Sequence, residues 1–129
     1  MRLKHCHNFH DFRRLAQRRL SGPIFNYIDG GADDEVTLRR NTAAFDTVGL
    51  VPNVLTGVAD VDLSVRVMGQ KLDLPVYLSP TALQRLFHHQ GERATAAAAE
   101  KFGTMFGVSS LGTVSMAELA KKHANPQVY

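Results

Sequence analysis

Helical spacing of apolar residues, together with suitable cap residues, predicts three helices at the start of the chain. Asn8 can cap a helix that runs to about Leu20, and residues 21–23 begin a second helix with proline in its first turn, where no N–H donor is needed. The glycines at 30–31 end that helix. Acidic residues 33–35 are then expected in the first turn of a third helix, because negative charge is favourable at a helix N-terminus.

Between residues 63 and 76 the pattern changes to alternation of apolar and polar residues, which is typical of β-strands. The apolar positions of the two predicted strands are Leu63, Val65 and Val67, then Leu72, Leu74 and Val76. Gly69 and Gln70 lie between them and are expected to form the turn. The pattern therefore predicts a β-hairpin.

From residue 74 onward, short apolar runs alternate with helical segments. The predicted order is a strand at 74–78, an Ala-rich helix at 91–102, a strand at 104–109, a helix at 115–123 that opens with a capping box, and a strand that begins at 127. Strands that alternate with helices in this way indicate an α/β fold with parallel strands.

The residues directly after the first of these strands are candidates for a ligand-binding site. Pro80, Thr81 and Ala82 follow the apolar run, and Ser109 ends the next strand. In (β/α) barrels the C-terminal ends of strands carry the ligand chemistry, because the loops there are free of the packing layer. Taken alone, Thr81 and Ser109 could equally serve only to satisfy nearby backbone groups.

Two motifs give the chain a family resemblance. Residues 25–38, which read Phe-Asn-Tyr-Ile-Asp-Gly-Gly and onward, and residues 80–84 with His89, Gly91 and Glu92, resemble the FMN-dependent α-hydroxy acid dehydrogenase and oxidase family. Its members include L-lactate dehydrogenase, glycolate oxidase and mandelate dehydrogenase. The resemblance runs from about Phe9 to the end and implies an α/β fold, the N-terminal part of a (β/α)8 TIM barrel preceded by helices and a β-hairpin.

The length fits only part of such a barrel. A (β/α)8 barrel typically needs about 250 residues, whereas this chain has 129, and the strand that begins at 127 is followed by no turn or cap. We therefore expect residues 1–129 to be the N-terminal part of a single domain. About 1–75 would be the helical preface and hairpin, and about 76–129 the first barrel strands and helices. Such a fragment is expected to be inactive alone.

The resemblance also implies a cofactor, a substrate class and site residues. It implies that Pro80, Thr81, Ala82 and Ser109 bind FMN, since the small Thr81-Ala82 pair lets the isoalloxazine ring approach the main chain. The Tyr27 hydroxyl would bind the carboxylate of a 2-hydroxy acid. Glycolate oxidases carry a large aromatic residue where this chain has Leu111, so a smaller side chain there favours L-lactate over glycolate.

Two functional groups of the family are not expected in this chain. Removal of hydride from a hydroxy acid needs a general base and a guanidinium that holds the carboxylate, and the family's His and Arg come later in the barrel. We therefore assign no catalytic residue here. Gln127 and Tyr129 resemble the family's Gln-x-Tyr motif in spelling, but gap-free spacing from Ser109 places that motif just beyond Tyr129, so we do not transfer its roles.

The charge is concentrated at the N-terminus. Residues 1–20 hold a net charge of +5 and the remainder holds −2. A basic, amphipathic helix of this kind is a candidate for peripheral contact with anionic lipid at the inner face of the membrane. A solvated helix face is the preferred interpretation, and the absence of aromatic residues interleaved for base stacking argues against nucleic-acid binding.

The sequence also bears on the cellular compartment, on metal binding and on alternative functions. The single cysteine, Cys6, excludes an internal disulfide framework, and no signal peptide or spanning segment is visible, so we expect a cytoplasmic protein. We also expect a homo-oligomer. We expect no metal site, because the histidines near Cys6 lack a matched second ligand pair. The alternatives are another FMN barrel enzyme, such as an isopentenyl diphosphate isomerase, and a non-enzymatic basic binding module.

Overall fold

The computed structural model describes residues 2–129, which form two compact units. The first ends at Gly57 and the second is Val58–Tyr129. The β-hairpin belongs to the second unit. Within residues 2–129, no helix is long and apolar enough to cross a membrane.

The first unit consists of three helices and two short 3-10 turns. Helix α1 is Phe9–Arg19, α2 is Gly22–Asp29 and α3 is Val36–Ala43, and the 3-10 turns are Leu3–His5 and Ala44–Thr47. As predicted, the Asn8 side chain caps α1, accepting a hydrogen bond from the Asp11 N–H at 3.0 Å. A bidentate ion pair joins α1 to α2, with Arg13 Nε 2.5 Å from Asp29 Oδ1 and Arg13 Nη2 2.7 Å from Asp29 Oδ2.

The prediction that residues 33–35 form the first turn of the third helix is wrong. Asp33 and Glu35 have left-handed backbone conformations, with φ of 46° and 57°, so the helix begins only at Val36. The Glu35 carboxylate accepts a hydrogen bond from the Gly31 N–H at 3.1 Å. Glu35 therefore stabilises the turn between α2 and α3.

The second unit begins with the predicted hairpin, although its turn lies one residue earlier. Strands β1 (Val65–Val67) and β2 (Gln70–Leu72) are antiparallel, and Val67 pairs with Gln70. The turn residues are Met68 and Gly69, both with positive φ, 49° and 76°. Two positive φ values characterise the type I′ turn, whose twist matches that of the flanking strands.

The rest of the second unit alternates parallel strands with helices, as predicted. Helix α4 is Glu92–Lys101, β3 is Phe106–Gly107, α5 is Met116–Lys122 and β4 is Gln127–Val128. Strand β3 pairs in parallel with β4 and makes a parallel bridge to Leu78 on its other side. The strand expected at 74–78 is reduced to this bridge, in which the Leu78 N–H donates to Met105 O at 3.0 Å and Leu78 O accepts from the Gly107 N–H at 2.7 Å.

A single apolar cluster packs the helices of the second unit onto its strands. Its buried members are Ala96, Ala99, Phe106, Val108, Val114 and Leu119, with Leu78 packed against them. The small alanine side chains of α4 let this helix approach the strands closely. The cluster therefore fixes the ends of the strands from which the candidate site residues extend.

Candidate functional site

Two loops lie together at the carboxyl ends of the parallel segments. The first loop is residues 79–86, which follow Leu78, and the second loop is residues 109–114, which follow β3. The Leu83 N–H donates to Leu111 O at 3.1 Å, and the Arg85 N–H donates to Thr113 Oγ1 at 3.3 Å. These bonds bring the candidate residues of the first loop next to those of the second.

A glycine lets the first loop lie close to β3. A Cβ added at Gly107 would stand 2.6 Å from Pro80 Cδ and 2.9 Å from both Cγ and N of Pro80. No other amino acid can occupy position 107 without displacing Pro80. The Pro80 ring therefore lies directly on the main chain of β3.

The main chain of the first loop offers hydrogen-bond donors to a ligand. Within residues 2–129, the structure records no protein acceptor for the N–H groups of Thr81 and Ala82, and both residues are half-buried. Two hydrogen bonds connect this loop to α4: Gln84 Nε2 donates to Thr81 O at 3.3 Å, and Thr95 Oγ1 donates to Gln84 Oε1 at 2.6 Å. These bonds hold the main chain at Thr81 in place.

Ser109 is half-buried at the start of the second loop. Its Oγ accepts a hydrogen bond from the Leu111 N–H at 3.2 Å, and its backbone oxygen accepts from the Gly112 N–H at 2.8 Å. Ser109 does serve the local backbone, which was the alternative interpretation. A hydroxyl also has one hydrogen to donate, so the same group remains able to donate to a ligand.

The two residues expected to contact substrate lie in different units. Leu111 is in the second loop with its side chain 62% exposed, and Tyr27 is on α2 in the first unit with 56% exposure. The structure therefore places Leu111 in the same unit as the predicted FMN residues. Tyr27 belongs to the other unit.

The register of β4 bears on the Gln-x-Tyr motif. Gln127 is paired with Phe106 and Val128 with Gly107, so Gln127 stands three residues before the level of Ser109. In this register Gln127 does not pair with Ser109. The assignment of the Gln-x-Tyr motif stays a prediction.

Sequence reasoning missed a buried carboxylate next to the loops. Glu92, the first residue of α4, has no exposed surface, and it accepts hydrogen bonds from the Thr113 N–H at 2.7 Å and from Thr113 Oγ1 at 2.6 Å. Burial raises the pKa of Glu92, but the hydrogen bonds from Thr113, together with those from the backbone of Glu92 and Gln84, outweigh it, so the pKa lies below its ordinary value. An acidic residue at the start of a helix that follows a candidate loop was the available signal.

Among residues 2–129 the structure holds no group of three or more His, Cys, Asp or Glu side chains arranged to bind a metal ion.

Comparison with known proteins identifies the family. The family model described as FMN-dependent dehydrogenase matches residues 16–129. The chain belongs to this family. The L-lactate oxidase of Nostoc sp. is 41% identical over 114 residues, and glycolate oxidase 1 of Oryza sativa subsp. japonica is 37% identical over 113 residues. Each alignment covers 88% of this chain and 31% of the relative.

Solved structures of FMN family members have the same fold. A soluble mutant of the membrane-associated (S)-mandelate dehydrogenase from Pseudomonas putida matches 93% of this chain and 34% of its own length, with a TM-score of 0.85 and 32% identity. A mandelate oxidase matches 91% of this chain and 34% of its own length, with a TM-score of 0.83 and 35% identity. The chain thus spans about a third of the length of these relatives.

These findings confirm the family resemblance, the α/β class and FMN as the cofactor of the family. The donor set of the two loops fits this cofactor. The edge of an isoalloxazine ring carries oxygen and nitrogen acceptors, and the loops offer it the N–H groups of Thr81 and Ala82 and the hydroxyl of Ser109. The matches to lactate oxidase, glycolate oxidase and mandelate oxidase favour the hydroxy acid family over the two rival interpretations, a different FMN barrel enzyme and a basic binding module.

Proposed function

We propose that this chain is part of an FMN-dependent enzyme that oxidises an L-2-hydroxy acid to the corresponding 2-oxo acid, with L-lactate as its preferred substrate. The family match over residues 16–129 supports the reaction class, and the L-lactate oxidase and L-lactate dehydrogenases among the relatives support the substrate. The observation that carries the proposal is the hydrogen-bonded junction of the two loops, one of which contains Thr81 and Ala82 and the other Ser109.

Each site residue has a defined task in this proposal. The residues of the two loops would hold FMN, which would supply an acceptor for the hydride of the substrate α-carbon. Thr81 and Ala82 would bind it through their N–H groups and Ser109 through its hydroxyl, while Tyr27 would donate its phenolic hydrogen to the substrate carboxylate. Leu111 would leave room for the methyl group of lactate. The general base and the guanidinium would come from parts of the protein outside residues 1–129.

The proposal includes the architecture predicted from the sequence. Residues 1–129 would be the N-terminal part of one domain, a (β/α)8 barrel whose first strands lie at about 76–129, and would be inactive alone. The share of about a third of each relative's length supports this. We also propose a cytoplasmic homo-oligomer. In place of the solvated face preferred from the sequence, its basic α1 would contact anionic lipid at the inner face of the membrane, an alternative supported by the exposure of Phe9 and Phe12 beside arginines on that helix.

The test is spectroscopic and uses the full-length protein. The purified protein should show the two visible absorption bands of oxidised flavin, and anaerobic L-lactate should bleach them. D-Lactate is the matched control and should leave the spectrum unchanged, and glycolate should reduce the flavin more slowly than L-lactate. Reoxidation by oxygen or by a dye then distinguishes an oxidase from a dehydrogenase. A protein without flavin, or flavin that L-2-hydroxy acids do not reduce, would refute the proposal.

A further inference from the structure

The carboxylate of Glu92 is fully buried beside the two loops, where neutral groups satisfy it. Within residues 2–129 it forms no ion pair, and it accepts hydrogen bonds at 2.7 Å and 2.6 Å from the N–H and hydroxyl of Thr113. The neighbouring Arg93 pairs with Glu118 at 2.7 Å. A buried charge is costly unless its donors are fixed in place, so this pair of bonds holds Thr113 in one position.

Thr113 connects this carboxylate to both loops. Thr113 is itself in the second loop, and its Oγ1 accepts the Arg85 N–H of the first loop at 3.3 Å. The junction is also tightly packed. A Cβ added at Gly91 would stand 2.5 Å from Arg85 Cγ and 3.4 Å from Thr113 Oγ1, and Gly91 itself has a φ of +51°. The start of α4 therefore fits against the two loops with no spare room.

The same second loop carries Ser109 and Leu111. The Gly112 N–H donates to Ser109 O at 2.8 Å, and a Cβ added at Gly112 would stand 3.6 Å from Glu92 Oε1. Leu111 O accepts the Leu83 N–H at 3.1 Å, which joins this turn to the first loop a second time. A shift of Thr113 would therefore move the turn that presents the Ser109 hydroxyl.

We propose that Glu92 is a positioning residue for the cofactor site. It fixes the second loop through Thr113, and through the Arg85 N–H it fixes the first loop, so that Ser109 and the N–H groups of the first loop are aligned for the flavin ring. This inference rests on the proposed function, in which the two loops bind FMN. Glutamine at position 92 would keep the volume but remove the charge and leave one oxygen for two donors, so its amide NH2 would face the Thr113 hydroxyl, which could no longer donate to residue 92.

The test compares matched variants of the full-length apoprotein. Each is titrated with FMN, and binding is monitored by the quenching of fluorescence. Glu92→Gln and Thr113→Val should each raise the dissociation constant for FMN by about tenfold, as expected when a bond to a buried charged group is lost. Thr113→Ser keeps the hydroxyl and the N–H and should stay within about twofold of wild type. Leu72→Ala, which removes the buried side chain of the hairpin, should lower the melting temperature and leave FMN affinity within about twofold.

A second measurement needs no cofactor. Amide hydrogen exchange of the apoprotein should be faster in peptides that cover residues 83–85 and 109–114 in Glu92→Gln than in wild type, and unchanged there in Leu72→Ala. Unchanged exchange in both peptides, wild-type FMN affinity in Glu92→Gln, or an equal loss of affinity in Leu72→Ala would each overturn the inference. A wild-type protein that binds no FMN would instead refute the proposed function, and the inference with it.

Discussion

Replacement of Gly107 by alanine should displace the loop that carries the predicted FMN donors. The added Cβ would stand 2.6 Å from Pro80 Cδ, so the ring must move by about 0.8 Å to reach an ordinary contact of 3.4 Å. The ring is rigid, and a Pro80 atom at 2.9 Å is its main-chain nitrogen, so the main chain must follow. Overpacking of this kind costs about 1–3 kcal/mol of unfolding free energy. A shift of this size also exceeds the tolerance of about 0.5 Å within which binding groups must be held.

Two measurements on the full-length protein separate these effects. Urea denaturation of the apoprotein gives the free energy of unfolding, and fluorescence titration gives the dissociation constant for FMN. Gly49→Ala is the matched control, because an added Cβ there meets nothing within 4 Å, and it should stay within about 0.5 kcal/mol of wild type. If Gly107→Ala behaves like this control in both assays, the steric argument is wrong. If stability falls while FMN affinity is kept, the position of Pro80 does not govern cofactor binding.

Three further predictions concern single side chains. Tyr27→Phe should raise KM for the hydroxy acid several-fold with unchanged FMN content, because the proposed hydrogen bond to the substrate carboxylate is lost. Unchanged steady-state kinetics would contradict the proposed contact between Tyr27 and the substrate. Leu111→Trp should lower kcat/KM for L-lactate more than for glycolate, and equal losses on both substrates would count against a steric role. Hydrogen bonds from Arg93 and, to a smaller extent, from Lys122 lower the pKa of Glu118 from 4.5 to about 2. The ion pairs of Glu118 therefore stabilise the fold above pH 4.5, and this contribution is lost as the pH falls towards 2. Glu118→Gln should flatten the pH dependence of urea denaturation across that interval, and an unchanged dependence would exclude Glu118 as its source.

Local signals predicted the helices well because their caps are set by neighbouring residues. Asn8 caps α1, and the Ser115 side chain accepts the Glu118 N–H at 3.2 Å at the start of α5. Two of the errors arose where a residue other than glycine has a positive φ. Met68 and Glu35 both adopt left-handed conformations that their residue types disfavour, so neither the hairpin turn nor the start of α3 could be placed correctly from propensity.

The site was only partly predictable for a different reason. The candidate loop residues follow from their place after the strands and from the family motifs, both of which are visible in the sequence. The contacts that brace the loops join residues far apart in the chain, such as Glu92 to Thr113 and Arg85 to Thr113. No spacing rule connects residues more than twenty positions apart across a helix, so these bonds appear only once the strands and helices have packed.

The way the loops are joined explains how one site could accept different hydroxy acids. The bonds between them use the Leu83 and Arg85 N–H groups, the Leu111 carbonyl and the Thr113 hydroxyl, so the side chain of Leu111 takes no part in holding the loops together. That side chain is largely exposed and can change in size while its backbone bond is kept. Substitution at position 111 should therefore alter the space for substrate without disturbing the donors proposed to bind FMN. Under this arrangement Leu111→Trp should retain FMN affinity while its substrate preference shifts. Glu92→Gln should instead lower the affinity for FMN and leave the substrate preference unchanged.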